Sequence, residues 1–189
     1  MKKRSMFNLD YTRLFSCDTG YVVPIGLKEV YPGDTFRHKA SMLLRVTPLL
    51  APVMHKVDIQ VDHFFVPTRI VWDDFEKFIT GGPTGTDNTE WPHVLINSGS
   101  GEAVGSLADY LGIPPSFDDI EYSAIPFRGY NLIFNEFYRD EDLMTEATIS
   151  RGNGLDTTTS RALKRAAWNK DYFTILPLRQ LTFFVFELL

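Results

Sequence analysis

The chain reads as a mainly β fold, a partial β-sandwich with helical insertions, and three features of its 189 residues predict it. Residues 57–67 alternate apolar and polar side chains at the period of a strand. A second run, 21–30, does the same and ends on a Pro-Gly turn. Beyond about residue 70 the spacing changes to helical steps separated by loops rich in Gly, Thr, Asn and Ser. With 44% hydrophobic, 23% charged and 14% aromatic residues, the chain can bury a substantial core or interface.

In the first strand, 21–30, Val23, Ile25, Leu27 and Glu29 share one face, and Pro24 argues for an edge or a bulge. Tyr31-Pro32-Gly33-Asp34 should reverse the chain, because Pro presets φ and Gly permits the positive φ that follows in a type II turn. Phe36–Val46 is then the second strand candidate, and the prolines of 47–52 favour an extended connection. In the third strand Val57, Ile59, Val61, His63 and Phe65 are expected to face a core. Asp58, Gln60, Asp62 and Phe64 point away, as in an antiparallel sandwich.

Asp73-Asp74 then open a short amphipathic helix with Trp72, Phe75, Phe78 and Ile79 on one stripe, stopped by Gly81-Gly82-Pro83. Residues 82–105 have loop composition. Ser106 to Gly112 carries an N-cap, a carboxylate three residues on and a terminal glycine, predicting a turn or two of helix. Pro126 starts a longer helix with Phe127, Tyr130, Phe134, Phe137 and Tyr138 as an aromatic packing stripe and Arg128, Asn135 and Arg139 on other faces. Residues 150–160 form a polar loop. The organisation expected is 1–70 as arm and first strands, 71–174 as a helix- and loop-rich insertion of the same domain, and 175–189 as an aberrant or frameshifted tail.

No catalytic constellation is assembled by spacing. His38, His55, His63 and His93 lack metal-ligand spacing, so no metal or cofactor is expected, and His63 reads as a core histidine with a hydrogen-bonded ring. Asp73, Asp74 and Glu76 are explained by a helix start. Cys17 is alone, which excludes an internal disulfide, and no nucleophile motif surrounds it. No apolar stretch resembles a signal core or a membrane span. A net charge of −5 argues against a dedicated nucleic-acid binder, leaving Lys2, Lys3, Arg4, Arg161, Lys164 and Arg165 as local, non-specific phosphate contacts, the last three on a helix face.

Several blocks in order resemble a known family. They are Phe15–Ile25, Glu29–Thr35, Arg45–Met54, Phe64–Phe78 and Ile125–Asp140, followed by Trp168–Thr174. The chain is identified on them as similar to the amino-terminal portion of the major capsid proteins of gokushovirus-like Microviridae. The resemblance implies an eight-stranded viral jelly roll, incomplete in this chain. It further implies a subunit without enzymatic activity in a small T=1 icosahedral shell around circular single-stranded DNA of a tailless bacteriophage. Partners implied are other copies of the capsid protein, other virion proteins and, weakly, the packaged DNA, with no membrane. Localisation would be the virion, and the host cytoplasm during assembly. The alternative is a stand-alone β-sandwich ligand-binding module, which needs a concave pocket with converging polar groups.

Overall fold

The computed structural model describes residues 5–47, 50–51, 54–96, 101–168 and 180–188. Strand β1 (Val22–Glu29) and strand β2 (Asp58–Val66) form where the alternation puts them. They are followed by α1 (Thr68–Val71), α2 (Phe75–Thr80), β3 (His93–Ile96), α3 (Leu107–Tyr110), β4 (Ile120–Ser123) and α4 (Ile125–Ile133). A π-helical turn, Phe134–Tyr138, extends α4, and β5 (Gln180–Leu188) is last.

The turn after β1 is as expected: Asp34 N–H donates to Tyr31 O at 3.0 Å and Gly33 has φ 86°. Pro24 also acts as anticipated, since β1 is an edge of its sheet and its register shifts between Pro24 and Gly26. The sheet itself is parallel, in the order β1-β5-β2, with β5 between the other two. Alternation within β1 and β2 does not encode strand direction, and the antiparallel neighbours expected of them are not formed within this sheet. The residues expected to be an aberrant tail supply its middle strand from Gln180 to Leu188, while 175–179 lie outside the described residues.

Phe36–Val46 does not form the expected second strand. A strand persists only with a ladder partner, and none of the described strands pairs with this segment. The 82–105 stretch is less loop-like than its composition, because β3 pairs with β4 in an antiparallel ribbon. Its anchor is distant in the chain: His93 N–H donates to Gly154 O at 3.0 Å and Asp156 N–H donates to His93 O at 2.7 Å.

The helix expected to open at Asp73-Asp74 forms as α2, and a separate turn, α1, precedes Trp72, whose indole N–H donates to Asn153 Oδ1 at 2.6 Å. Only Trp72 of the stripe is fully buried; Phe78 and Ile79 are exposed. Asp74 spends its carboxylate on Lys77 Nζ at 2.6 Å and on Asn153 Nδ2 at 2.8 Å, and makes no side-chain cap to the backbone. Gly81, in the left-handed region at φ 74°, ends α2. Ser106 caps α3 as predicted, its hydroxyl accepting from Asp109 N–H at 3.3 Å.

Helix α4 organises the core. Phe127, Tyr130, Phe134 and Tyr138 are buried on one side, packed with Val22, Val66 and Leu107, while Phe137 is exposed at 65%. The other side, where Arg128 and Asn135 are expected, is buried too. Arg128, Asn131 and Asn135, spaced by three and four residues, form a polar stripe that stitches residues 147–160 to the helix. Arg128 donates through Nε to Asp156 Oδ2 at 2.9 Å, through Nη1 to Val71 O at 3.1 Å and through Nη2 to Gly152 O at 3.0 Å. Asn131 Nδ2 donates to Phe127 O and Ser160 O, and Asn135 exchanges a reciprocal pair with Ala147, both bonds at 2.9 Å. Arg139 Nη1 donates to Met144 O at 3.1 Å.

Asp156 is fully buried beneath this stripe. Burial opposes its ionisation, but hydrogen bonds from the Thr159 hydroxyl and amide and from Arg128 outweigh that and hold its carboxyl below the ordinary aspartate range. Removing one partner of such a buried pair strands the other charge. Asp156→Asn or Arg128→Met should therefore lower unfolding free energy by about 3–5 kcal/mol in urea titrations. The double variant Arg128→Met/Asp156→Leu should lose less than the sum of the singles. Because the folded carboxyl titrates below its unfolded value, its contribution is complete above about pH 3.9 and fades as pH falls through the folded pKa. The acid limb of wild-type stability should accordingly be steeper than that of Asp156→Asn, measured by denaturation at stepped pH.

Candidate functional site

Two segments stand outside the core, and their chemistry is unlike that of solvated loops. Residues 5–19 and 34–47 carry no strand or helix, yet they are dense in large apolar side chains. Met6 is 92% exposed, Phe7 83%, Leu14 93% and Leu43 96%. Met42, Leu44, Val46 and Met54 add to the second segment. Single exposed apolar residues are ordinary, but runs of them mark surfaces that another molecule covers.

The outer face of β2 continues this surface. Val57, Ile59 and Phe65 are exposed, and His63 is exposed beside them. This departs from the expected burial, although Val61 on the same face is half-buried against Val23 and Tyr110. Residues Phe64-Phe65-Val66 are apolar on both faces, so the pattern could not choose; α4 and the π-helical turn choose by packing on the other side. Phe64 meets Phe137 and Tyr138 at ring centroid distances of 4.7 and 5.9 Å, and Tyr138 Oη donates to Asp62 Oδ2 at 2.7 Å. Burial, then the hydrogen bond to Asp62, pushes the Tyr138 hydroxyl pKa well up, so it stays a neutral donor. His63 is thus not a core histidine; its ring lies 5.2 Å from that of His38, which brings the 34–47 segment against β2.

The expected phosphate contacts are differently placed. Lys2, Lys3 and Arg4 lie outside the described residues. Arg161, Lys164 and Arg165 sit on an irregular strip, not on a helix face, because that strip is tied to the start of β1 by backbone bonds. Val22 N–H donates to Lys164 O at 2.9 Å and Ala166 N–H to Gly20 O at 3.0 Å. Tyr130 fastens both: its hydroxyl donates to Val22 O at 3.1 Å and accepts from Lys164 N–H at 2.7 Å. The cations are engaged within the chain. Arg161 pairs with Glu102 at 3.4 Å, Lys164 Nζ lies 5.9 Å from the Phe134 ring centroid, and the Arg165 guanidinium lies 4.6 Å from that of Tyr21.

An aromatic and polar helix bound to its own loops, with apolar segments left uncovered, is the anatomy of a subunit. Residues 1–183 match the capsid protein (F protein) family. The chain belongs to that family.

Among curated proteins, this capsid-family chain is 36% identical to the capsid protein VP1 of Chlamydia phage 1 over 167 residues, 83% of the chain. It is 34% identical to VP1 of Bdellovibrio phage phiMH2K over 173 residues, 90% of the chain. Identity to VP1 of Spiroplasma virus 4 is 30% over 160 residues, 84% of the chain. The chain spans 28–32% of the length of these relatives. The residues that reading the sequence missed are the exposed apolar ones of 5–15 and 42–46, with Leu50 and Met54. Their signal was present in Met42-Leu43-Leu44, a Leu- and Met-rich run without the turn residues of a solvent loop.

Proposed function

We propose that this chain serves as part of a major capsid subunit and acts by assembly, not by catalysis. In this reading copies of the subunit, with other virion proteins, close into a small icosahedral shell around circular single-stranded DNA of a tailless phage. It would reside in the virion, and in the host cytoplasm while shells form. The observation that carries it is the uncovered apolar surface of 5–15, 42–46, Leu50, Met54 and the outer face of β2. Core-quality packing of such side chains against a neighbour stabilises by roughly 1.5–3 kcal/mol each, enough for a few to hold an interface together. The family supports the structural role. The jelly-roll part of the reading rests on the family resemblance.

Sedimentation velocity at rising protein concentration tests this. The chain should form concentration-dependent assemblies, and Leu43→Asp and Phe65→Asp should shift them toward monomer by about tenfold or more in association constant. Both positions are exposed, so urea midpoints should stay near wild type. A chain that remains monomeric at every concentration would sink the assembly reading and favour the stand-alone module.

A further inference from the structure

Away from the uncovered apolar surface, two nitrogen groups of different chemistry meet on one carboxylate. Asp74 stands at the start of α2 and Lys77 three positions on, so the helix places Lys77 Nζ on Asp74 Oδ1 at 2.6 Å. The other oxygen, Asp74 Oδ2, accepts from Asn153 Nδ2 at 2.8 Å. Asn153 belongs to a loop that the fold holds in place on both sides of it. Gly152 O accepts from the buried Arg128 at 3.0 Å, and Gly154 O accepts from His93 N–H at 3.0 Å. A backbone bond from Asp73 N–H to Arg151 O, at 3.4 Å, ties the same loop to the start of α2.

The Asn153 amide is polarised as well as positioned. Its Oδ1 accepts from the Trp72 indole N–H at 2.6 Å, and that ring is buried, with Phe75 and Phe78 beside it at centroid distances of 5.7 and 5.0 Å. A donor on the carbonyl oxygen, a carboxylate oxygen on the amide nitrogen, and an amine on the second oxygen of that carboxylate are the parts that an amide exchange needs.

We propose that Lys77 and Asn153 join in an intramolecular isopeptide bond, with Asp74 as the proton carrier. The neutral Lys77 amine attacks Asn153 Cγ, forming the Nζ–Cγ bond while the carbonyl pair moves onto Asn153 Oδ1, where the Trp72 N–H stabilises it. Asp74 takes a proton from Lys77 Nζ and delivers one to Asn153 Nδ2. The Cγ–Nδ2 bond then breaks as the carbonyl reforms, and ammonia leaves on the solvent side. An amine and a primary amide thus become a secondary amide and ammonia, with no change of oxidation state and no co-reactant. Solvent sets the pace, because the Lys77 side chain is 56% exposed. Asp74 holds the Lys77 ammonium above the ordinary lysine range, while Lys77 and then Asn153 hold the Asp74 carboxyl below its own. Free amine is therefore scarce at neutral pH, and the bond forms slowly there and faster as pH rises. It forms once per chain, so it is a staple between α2 and the loop that walls α4, not a turnover.

Peptide mapping by mass spectrometry of the full chain, incubated between about pH 7 and about pH 9, provides the test. A branched peptide joining the residues around Lys77 and Asn153 should accumulate with loss of one ammonia, and trypsin should not cut after Lys77 in that fraction. Its rate should rise about tenfold per pH unit while the amine is mostly protonated. Asp74→Asn should slow it about a hundredfold or more. Lys77→Arg should form no branch, since a guanidinium stays protonated throughout this range. That change keeps the charge at an exposed position, so its urea midpoint should match that of wild type before incubation. The amide of Gly154 is the rival nucleophile for the same carbon, closing a succinimide that also releases ammonia. Ammonia loss at equal rates in wild type and Lys77→Arg, without a branch, assigns the carbon to Gly154 and overturns the proposal. A wild-type map with Lys77 cut normally at every pH overturns it too, and a branch that forms as fast in Asp74→Asn overturns the proton carrier.

Discussion

A guanidinium with no exposed surface must be met on every side, and Arg128 imposes that demand on the middle of this chain. Its three hydrogen bonds reach Val71 at the end of α1, Gly152 and Asp156, three points separated from it by 57, 24 and 28 residues. Asp156 in turn collects the Thr158 amide and both donors of Thr159. A loop of polar residues is thereby fixed in one path around α4. The consequence is that residues 147–160 serve as a wall of the core although their composition is that of a surface loop.

Once α4 is enclosed by its own loops on one side and by Val22, Val66 and Leu107 on the other, it has no apolar face left to offer. The apolar residues of 5–15 and 42–46 therefore find no place in the core, and they remain on the outside with the outer face of β2. Satisfaction of the centre and exposure of the periphery are two sides of one arrangement.

Local signals were readable where chemistry decides locally. The Pro-Gly turn, the Ser106 cap, the helix after Pro126 and the bulge at Pro24 all follow from backbone constraints within a few residues. What could not be read depends on partners far away in the chain. Nothing near Arg128 announces Asp156, and nothing in the alternation of β2 says that Tyr138 will sit against Asp62 and turn His63 outward. Likewise Phe36–Val46 has strand-like residues but no neighbour to pair with. The phosphate contacts proposed for Arg161, Lys164 and Arg165 were placed on a helix that does not exist, and the structure gives each of them a partner inside the chain.

Amide hydrogen exchange on the isolated chain and on its assembled form separates the enclosed centre from the uncovered periphery most directly. Protection should be high along α4 and residues 147–160 in both states, whereas 5–15 and 36–46 should exchange within the dead time when isolated and become protected on assembly. Equal, strong protection of 36–46 and α4 in the isolated chain would contradict the account, because that segment would then be satisfied by its own fold.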